Sequence, residues 1–260
     1  MFYTHTMSTP AHARPKRRAG SFDDDARTKH RSALSAGVSL LFLLAAALCA
    51  TGALMPGRAQ AQASASAAVL GGGDPTAMVK AVIDQATALV LDTQTPTAER
   101  DKRLREIAEA NFDFADMART TLGYHWREIT PAQQSEFVQV FTAFMENVYL
   151  SKLQEYGVQK IRDTAAHSNV NFTGQQFDGA DYAEVHSVVM LKDQAQPIKV
   201  DYLLRRDSSA WKIYDLNVDA ISVMANYRQQ FNRVLNNDGY PALVSLLKKK
   251  IAELGSTLDK

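Results

Sequence analysis

Apolar positions change their spacing twice along this chain. From residue 74 to about 157 they recur every three or four positions. From there to about 218 they alternate or fall in short runs, and beyond 220 the wider spacing returns. These periods predict helices, then strands, then helices. Asp74-Pro75 opens the first helix, with Asp as N-cap and Pro in the first turn, and Val79, Val82, Ile83, Ala86, Leu89 and Val90 share one face. A second helix starts at Thr95-Pro96 and runs to about Ala110, turning Leu104, Ile107 and Ala108 inward. Phe112, Phe114, Met117 and Leu122 form a third apolar face, which Gly123 can terminate. Thr130-Pro131-Ala132-Gln133 is a capping box. It opens the longest helix expected, with Phe137, Val140, Phe141, Phe144, Met145, Val148, Tyr149 and Leu153 on its buried side and an end near Gly157.

The strands are expected at Tyr182–Lys192, Ile198–Arg206 and Ala210–Val218, with one or two more inside Ile161–Thr173. The links at Asp193–Pro197 and Asp207–Ser209 are short, so neighbouring strands should pair antiparallel. Two helices, Ala220–Leu235 and Pro241–Leu254, close the chain around Asn236-Asn237-Asp238-Gly239. Helices, a strand meander and helices again make an α+β layout, read as one domain over 74–257.

The first 63 residues follow another logic. A basic stretch (Arg14, Lys16, Arg17, Arg18, Arg27, Lys29, Arg31) precedes an uncharged apolar run from Ala33 to Met55. Two small-x-small motifs follow, Ala59-Gln60-Ala61 and Ala61-Gln62-Ala63. This is the order of a secretory signal peptide with a long basic leader, cleaved after Ala61 or Ala63. The apolar run is nearly long enough to anchor the chain uncleaved, but the cleavage motifs sit where cleavage needs them. Residues 64–73, small and Gly-rich, read as a flexible lead-in. Export changes the charge balance: the full chain carries +1, and without residues 1–63 it carries about −4. A mildly acidic domain argues against nucleic acid as partner. The chain's one cysteine, Cys49, leaves with the leader, so the exported part has no thiol chemistry.

Candidate chemistry is sparse. His125, His167 and His186 have no paired-ligand spacing, and the sequence holds no nucleophile elbow, dinucleotide fingerprint or P-loop. The reading is of a protein with no catalytic residues, no metal and no cofactor. His186 is expected on a sheet face, His125 in a helix-exit loop, and Asp215 and Asp219 as strand-end residues. Large apolar residues are abundant on several elements, which by composition alone describes an ordinary core. Periodicity does not separate a filled core from a hollow one.

Three stretches are more specific: Asn111-Phe112-Asp113-Phe114-Ala115-Asp116-Met117-Ala118, then Leu122-Gly123-Tyr124-His125-Trp126, then Thr130 to Phe137. Together they resemble the first signature of the MlaC family, the periplasmic phospholipid-binding components of the Mla lipid-asymmetry transport system. Val200-Asp201-Tyr202, Trp211 to Leu216, Ile221 to Arg228 and Phe231 resemble the second. The resemblance runs in order from Pro75 to Leu254. It implies helices wrapped on a curved antiparallel sheet, similar to the NTF2-like group, around an apolar cavity for phospholipid acyl chains. Expected lipid contacts are Met117, Phe141, Met145, Tyr149, Val189, Tyr202, Ile213, Ile221 and Met224. It further implies two partners: an MCE-domain transporter complex at the inner membrane and a lipoprotein–porin complex at the outer membrane. Two other readings stand beside it: a carrier of another lipid such as a hopanoid, and a small periplasmic enzyme on a similar cavity using Tyr202, Asp201 or His186.

Overall fold

The computed structural model describes residues 73–155, 163–164, 169–191, 196–208 and 210–258. The leader, its cleavage motifs and most of the lead-in lie outside the described residues.

Helix α1 spans Pro75–Leu91, and the Asp74 carboxylate accepts a hydrogen bond from the Ala77 N–H at 3.0 Å, as an N-cap does. Helix α2, Thr97–Asn111, begins later than the sequence suggests: Pro96 is its cap, with extended backbone. The Thr95 hydroxyl is already committed to the Asp92 carboxylate, which closes the α1–α2 turn. Helix α3 spans Phe114–Leu122, capped by Asp113 and stopped by Gly123 at φ 57°. Phe112, expected on that helix, instead bridges to Ile213, and the Asp113 N–H donates to the Ile213 carbonyl at 2.8 Å. The α2–α3 junction is thus stitched to the sheet. A 3₁₀ turn, Gly123–Arg127, leads to α4, Pro131–Glu155. The capping box is reciprocal: Thr130 N–H to Gln133 Oε1 at 2.9 Å, and Gln133 N–H to Thr130 Oγ1 at 3.3 Å.

Among the described residues, five antiparallel strands follow in spatial order β1-β2-β3-β4-β5: Asn169–Asp178, Tyr182–Met190, Ile198–Asp207, Ala210–Val218 and Ile221–Ser222. The first begins inside the expected window Ile161–Thr173 and runs five residues past its end; residues 161–162 and 165–168 are outside the described set. The fifth strand is absent from the sequence reading, which placed Ile221 in a helix. Asp219 and Ala220 both adopt left-handed backbone, φ 47° and 64°, and so make a two-residue hairpin turn. Ile221 then pairs with Val218 and stands 46% exposed.

Helix α5, Val223–Leu258, starts where that hairpin ends and breaks at Gly239, φ 80° and ψ 177°, beside Pro241. Its two arms are the two closing helices the sequence suggests. The helices cover one face of the sheet. That face presents Ala183, Val185, Ser187 and Val189 of β2 and Ile198, Val200, Tyr202 and Leu204 of β3, all buried, as strand alternation requires. Phe231 of α5 meets the stacked rings of Phe137 and Phe141 on α4 edge-on. Among the described residues no helix is long and apolar enough to cross a membrane.

Candidate functional site

A cavity of about 140 Å³ lies between α1, α2, the α2–α3 junction, α4 and the inner face of β3–β4. Each wall comes from a pattern visible in the sequence. Val79, Val82, Ile83 and Ala86 are one stripe of α1; Leu104, Ile107 and Ala108 are the inward side of α2. Phe112 and Phe114 flank the junction held by Ile213, and their rings lie 6.1 Å apart. The floor is Tyr202, Ile213 and Leu216.

Among the described residues, only two side chains with formal charge line the cavity, Arg105 of α2 and Glu146 of α4. Arg105 Nε lies 3.8 Å from Glu146 Oε2, and the Glu146 side chain is only 13% exposed. Burial, and then the neighbouring Glu109 carboxylate, push the Glu146 carboxyl up to about 7, against the pull of Arg105. A side-chain hydrogen bond with Glu109 pushes the Glu146 carboxyl the same way. Tyr149, one turn along α4, is held well above the ordinary phenol value, chiefly by burial, and stays neutral. The arrangement is an apolar chamber with one polar end between α2 and α4. It presents neither a nucleophile beside a base nor a set of metal ligands, and what it offers is a surface for hydrocarbon.

The family model described as MlaC protein matches residues 77–249. This chain belongs to the MlaC family. Its fold is shared with a solved structure described as the phospholipid-binding protein from Ralstonia solanacearum in complex with a phospholipid. That match has a TM-score of 0.57 at 21% identity and covers 70% of this chain and 99% of the other.

Set on this MlaC fold, the nine residues expected to contact lipid separate into three groups. Met117, Tyr149, Tyr202 and Ile213 line the cavity together. Phe141, Met145, Val189 and Met224 are fully buried but stand behind it, in the packed layer of α4, α5 and β2. Ile221 does not point inward at all: the left-handed turn at Asp219–Ala220 puts it on an exposed edge strand, correcting the helical reading. Most of the cavity wall, including all of the α1 stripe, was not named. Helical spacing marked those residues as buried, but not as facing a space. Arg105 and Glu146 were missed as well. Their signal was faint: Glu146 is a lone acidic residue beside the apolar stripe of α4, next to Met145.

The residues considered for an enzyme do not converge. Tyr202 faces the cavity, whereas Asp201 and His186 pair across β2 and β3 on the opposite face, with Nδ1 and Oδ1 2.9 Å apart. Glu184 lies 3.9 Å from the same ring nitrogen. Glu184, His186 and Asp201 are the one grouping among the described residues with metal-ligand spacing, partly exposed and away from the cavity. His125 sits in the 3₁₀ turn with Nδ1 2.7 Å from Glu128 Oε2, a local structural contact. His167 is outside the described residues.

Proposed function

We propose that this protein is a periplasmic phospholipid carrier that holds acyl chains in the cavity and performs no reaction on them. The observation that carries the reading is the apolar chamber enclosed by α1, α2, α4 and the sheet in a member of the MlaC family. The phospholipid bound by the Ralstonia protein of like fold supports it. Met117, Tyr149, Tyr202 and Ile213, together with the α1 stripe, are the proposed chain contacts. The chain reaches the periplasm by way of the leader, cleaved after Ala61 or Ala63. There it passes lipid between an MCE-domain complex of the inner membrane and a lipoprotein–porin complex of the outer membrane.

Physical chemistry makes such a carrier necessary and sets its terms. Two acyl chains expose about 30 methylenes, and at about 0.8 kcal/mol each the cost of entering water is roughly 24 kcal/mol. A carrier replaces one apolar environment with another, so hand-off needs no catalytic group. At about 140 Å³ the cavity is below the roughly 300 Å³ of the smallest usual ligand pockets. Admitting a diacyl lipid therefore requires its walls to separate. Helix α2 is the natural wall to move, since only Arg100, Ile107 and Asn111 along it are buried.

Transfer of labelled phosphatidylcholine between donor and acceptor vesicles tests the reading. The protein should raise the transfer rate in proportion to its concentration. A rate unchanged at any protein concentration would contradict it.

A further inference from the structure

The outer face of the sheet, away from the cavity, carries a cluster of convergent polar groups. Glu184 and His186 stand two residues apart on β2, so both side chains project from the same face. Asp201 of β3 lies directly across from His186 in the antiparallel ladder. His186 Nδ1 is 2.9 Å from Asp201 Oδ1 and 3.9 Å from Glu184 Oε1. One ligand atom from each of the three falls within 4.8 Å of the others. On the other side of His186 the ladder position belongs to Gly174 of β1, where even a Cβ would meet nothing within 4 Å. That flank of the imidazole carries no side chain and is open to an approaching ion.

An ion pair accounts for only part of this arrangement. The ring nitrogen has one proton to give, and two carboxylates converge on it. Among the described residues neither carboxylate has a lysine or arginine partner. With a neutral imidazole the three groups carry two negative charges. A divalent cation neutralises both, replaces the one contested proton and gives every group a bond. We propose that Glu184, His186 and Asp201 bind a late first-row divalent cation, zinc before others, on the outer face of β2 and β3. An imidazole nitrogen beside two carboxylate oxygens suits zinc, whereas magnesium and calcium take shells of oxygen alone. Ligand atoms about 2.0–2.2 Å from one ion lie roughly 3–3.5 Å from each other. The separations of 2.9 and 3.9 Å bracket that range, so a small turn of the Glu184 carboxylate closes the site. All three residues are partly exposed, which leaves the remaining coordination positions to water.

Strand register assembles the site, which is why no ligand motif marks it in the sequence. Glu184 and His186 are two positions apart, and Asp201 arrives fifteen residues after His186, on the next strand. The expectation of no metal rested on motif spacing alone. A bound ion ties β2 to β3 side chain to side chain. It does so behind the Val185–Tyr202 pair, whose side chains face the helices and whose Tyr202 floors the cavity. The site lies on the face opposite the cavity and binds metal independently of whatever fills that cavity.

The test titrates zinc into the purified, untagged protein against a chromogenic chelator. The same titration is run on Glu184→Gln, His186→Ala, Asp201→Asn and the triple variant. Binding is read as the difference from the triple variant, so zinc held by other histidines cancels. Wild-type protein should take up one zinc per chain more than the triple variant. Each single variant should hold that ion at least about tenfold more weakly, the loss of one ligand, and His125→Ala should match wild type. Zinc at about a hundred times its dissociation constant should raise the wild-type melting temperature by roughly 5–10 °C and leave that of the triple variant nearly in place. Magnesium at the same concentration should shift neither. Glu184→Gln keeps the His186–Asp201 contact, so its loss of zinc cannot be put down to a damaged ladder. Wild-type protein that takes up no more zinc than the triple variant overturns the site and leaves a surface ion pair. A Glu184→Gln or His186→Ala variant with undiminished affinity overturns it too, because the ion then sits elsewhere or without the third ligand.

Discussion

Glu146 is also where single-residue physics reaches stability. A carboxyl held at about 7 in the folded chain, against an ordinary value of 4.5, binds its proton more tightly folded than unfolded. The protein therefore loses stability as pH rises from about 4.5 to about 7 and is level in this respect above that. Glu146→Gln, neutral throughout, escapes the loss. Thermal melts of the pair should nearly coincide at about pH 4.5 and diverge towards pH 8, with the variant ahead by on the order of 1–3 kcal/mol. Parallel melting curves across that range would show that Glu146 titrates normally. Sequence reading could not find this residue, because a shifted carboxyl needs burial and a neighbour brought from another helix, here Glu109 and Arg105. Asp219 follows the end of β4, as the sequence suggests, whereas Asp215, expected at a strand end too, lies inside β4 and pairs with Leu203. Asp219 Oδ1 accepts from the Lys199 N–H at 3.0 Å, and Asp215 Oδ1 accepts from the Met224 N–H at 3.1 Å.

Those contacts govern how one element passes to the next. Asp215, 7% exposed, also accepts from the Ser222 hydroxyl, and Ser222 in turn caps Ala225 at the start of α5. Asp215→Ala strands a buried N–H and releases the cap, at an expected cost of about 2–4 kcal/mol in chemical denaturation. A loss below about 0.5 kcal/mol, the scatter of ordinary surface substitutions, would show that the network is dispensable. Further along α5, Gly239 holds a backbone conformation open essentially to glycine alone, though a Cβ there would meet nothing closer than Pro241 Cδ at 3.8 Å. Gly239→Ala should cost about 1–3 kcal/mol through backbone strain with no steric clash. A variant as stable as its parent would show that the helix break does not depend on that conformation. Elements were legible wherever a period ran long: α1, α4 and β4 stand close to where the pattern put them. β5 was not, because two residues offer no period and the turn that makes it uses left-handed Asp219 and Ala220, where a glycine signal would be expected.

At the scale of the molecule, the question is whether the space between helices and sheet works as a container. The α+β layout was legible because periods of 3.6 and 2 follow from backbone geometry. The cavity was not, because a residue facing a void and a residue facing a neighbour follow the same period. A cavity-filling change separates the two cases. Ala86 is 4% exposed and lines the chamber, so Ala86→Phe places a ring in the space assigned to acyl chains. The variant should bind less phospholipid while its melting temperature holds or rises, whereas overpacking a filled interior typically costs about 1–3 kcal/mol. The most direct measurement needs no variant. Protein purified from its native host, without detergent, is extracted with organic solvent, and the extract is weighed against protein by mass spectrometry. The account predicts diacyl phospholipid in near-stoichiometric amount. An extract containing a polycyclic lipid in its place, or no lipid at all, would contradict it.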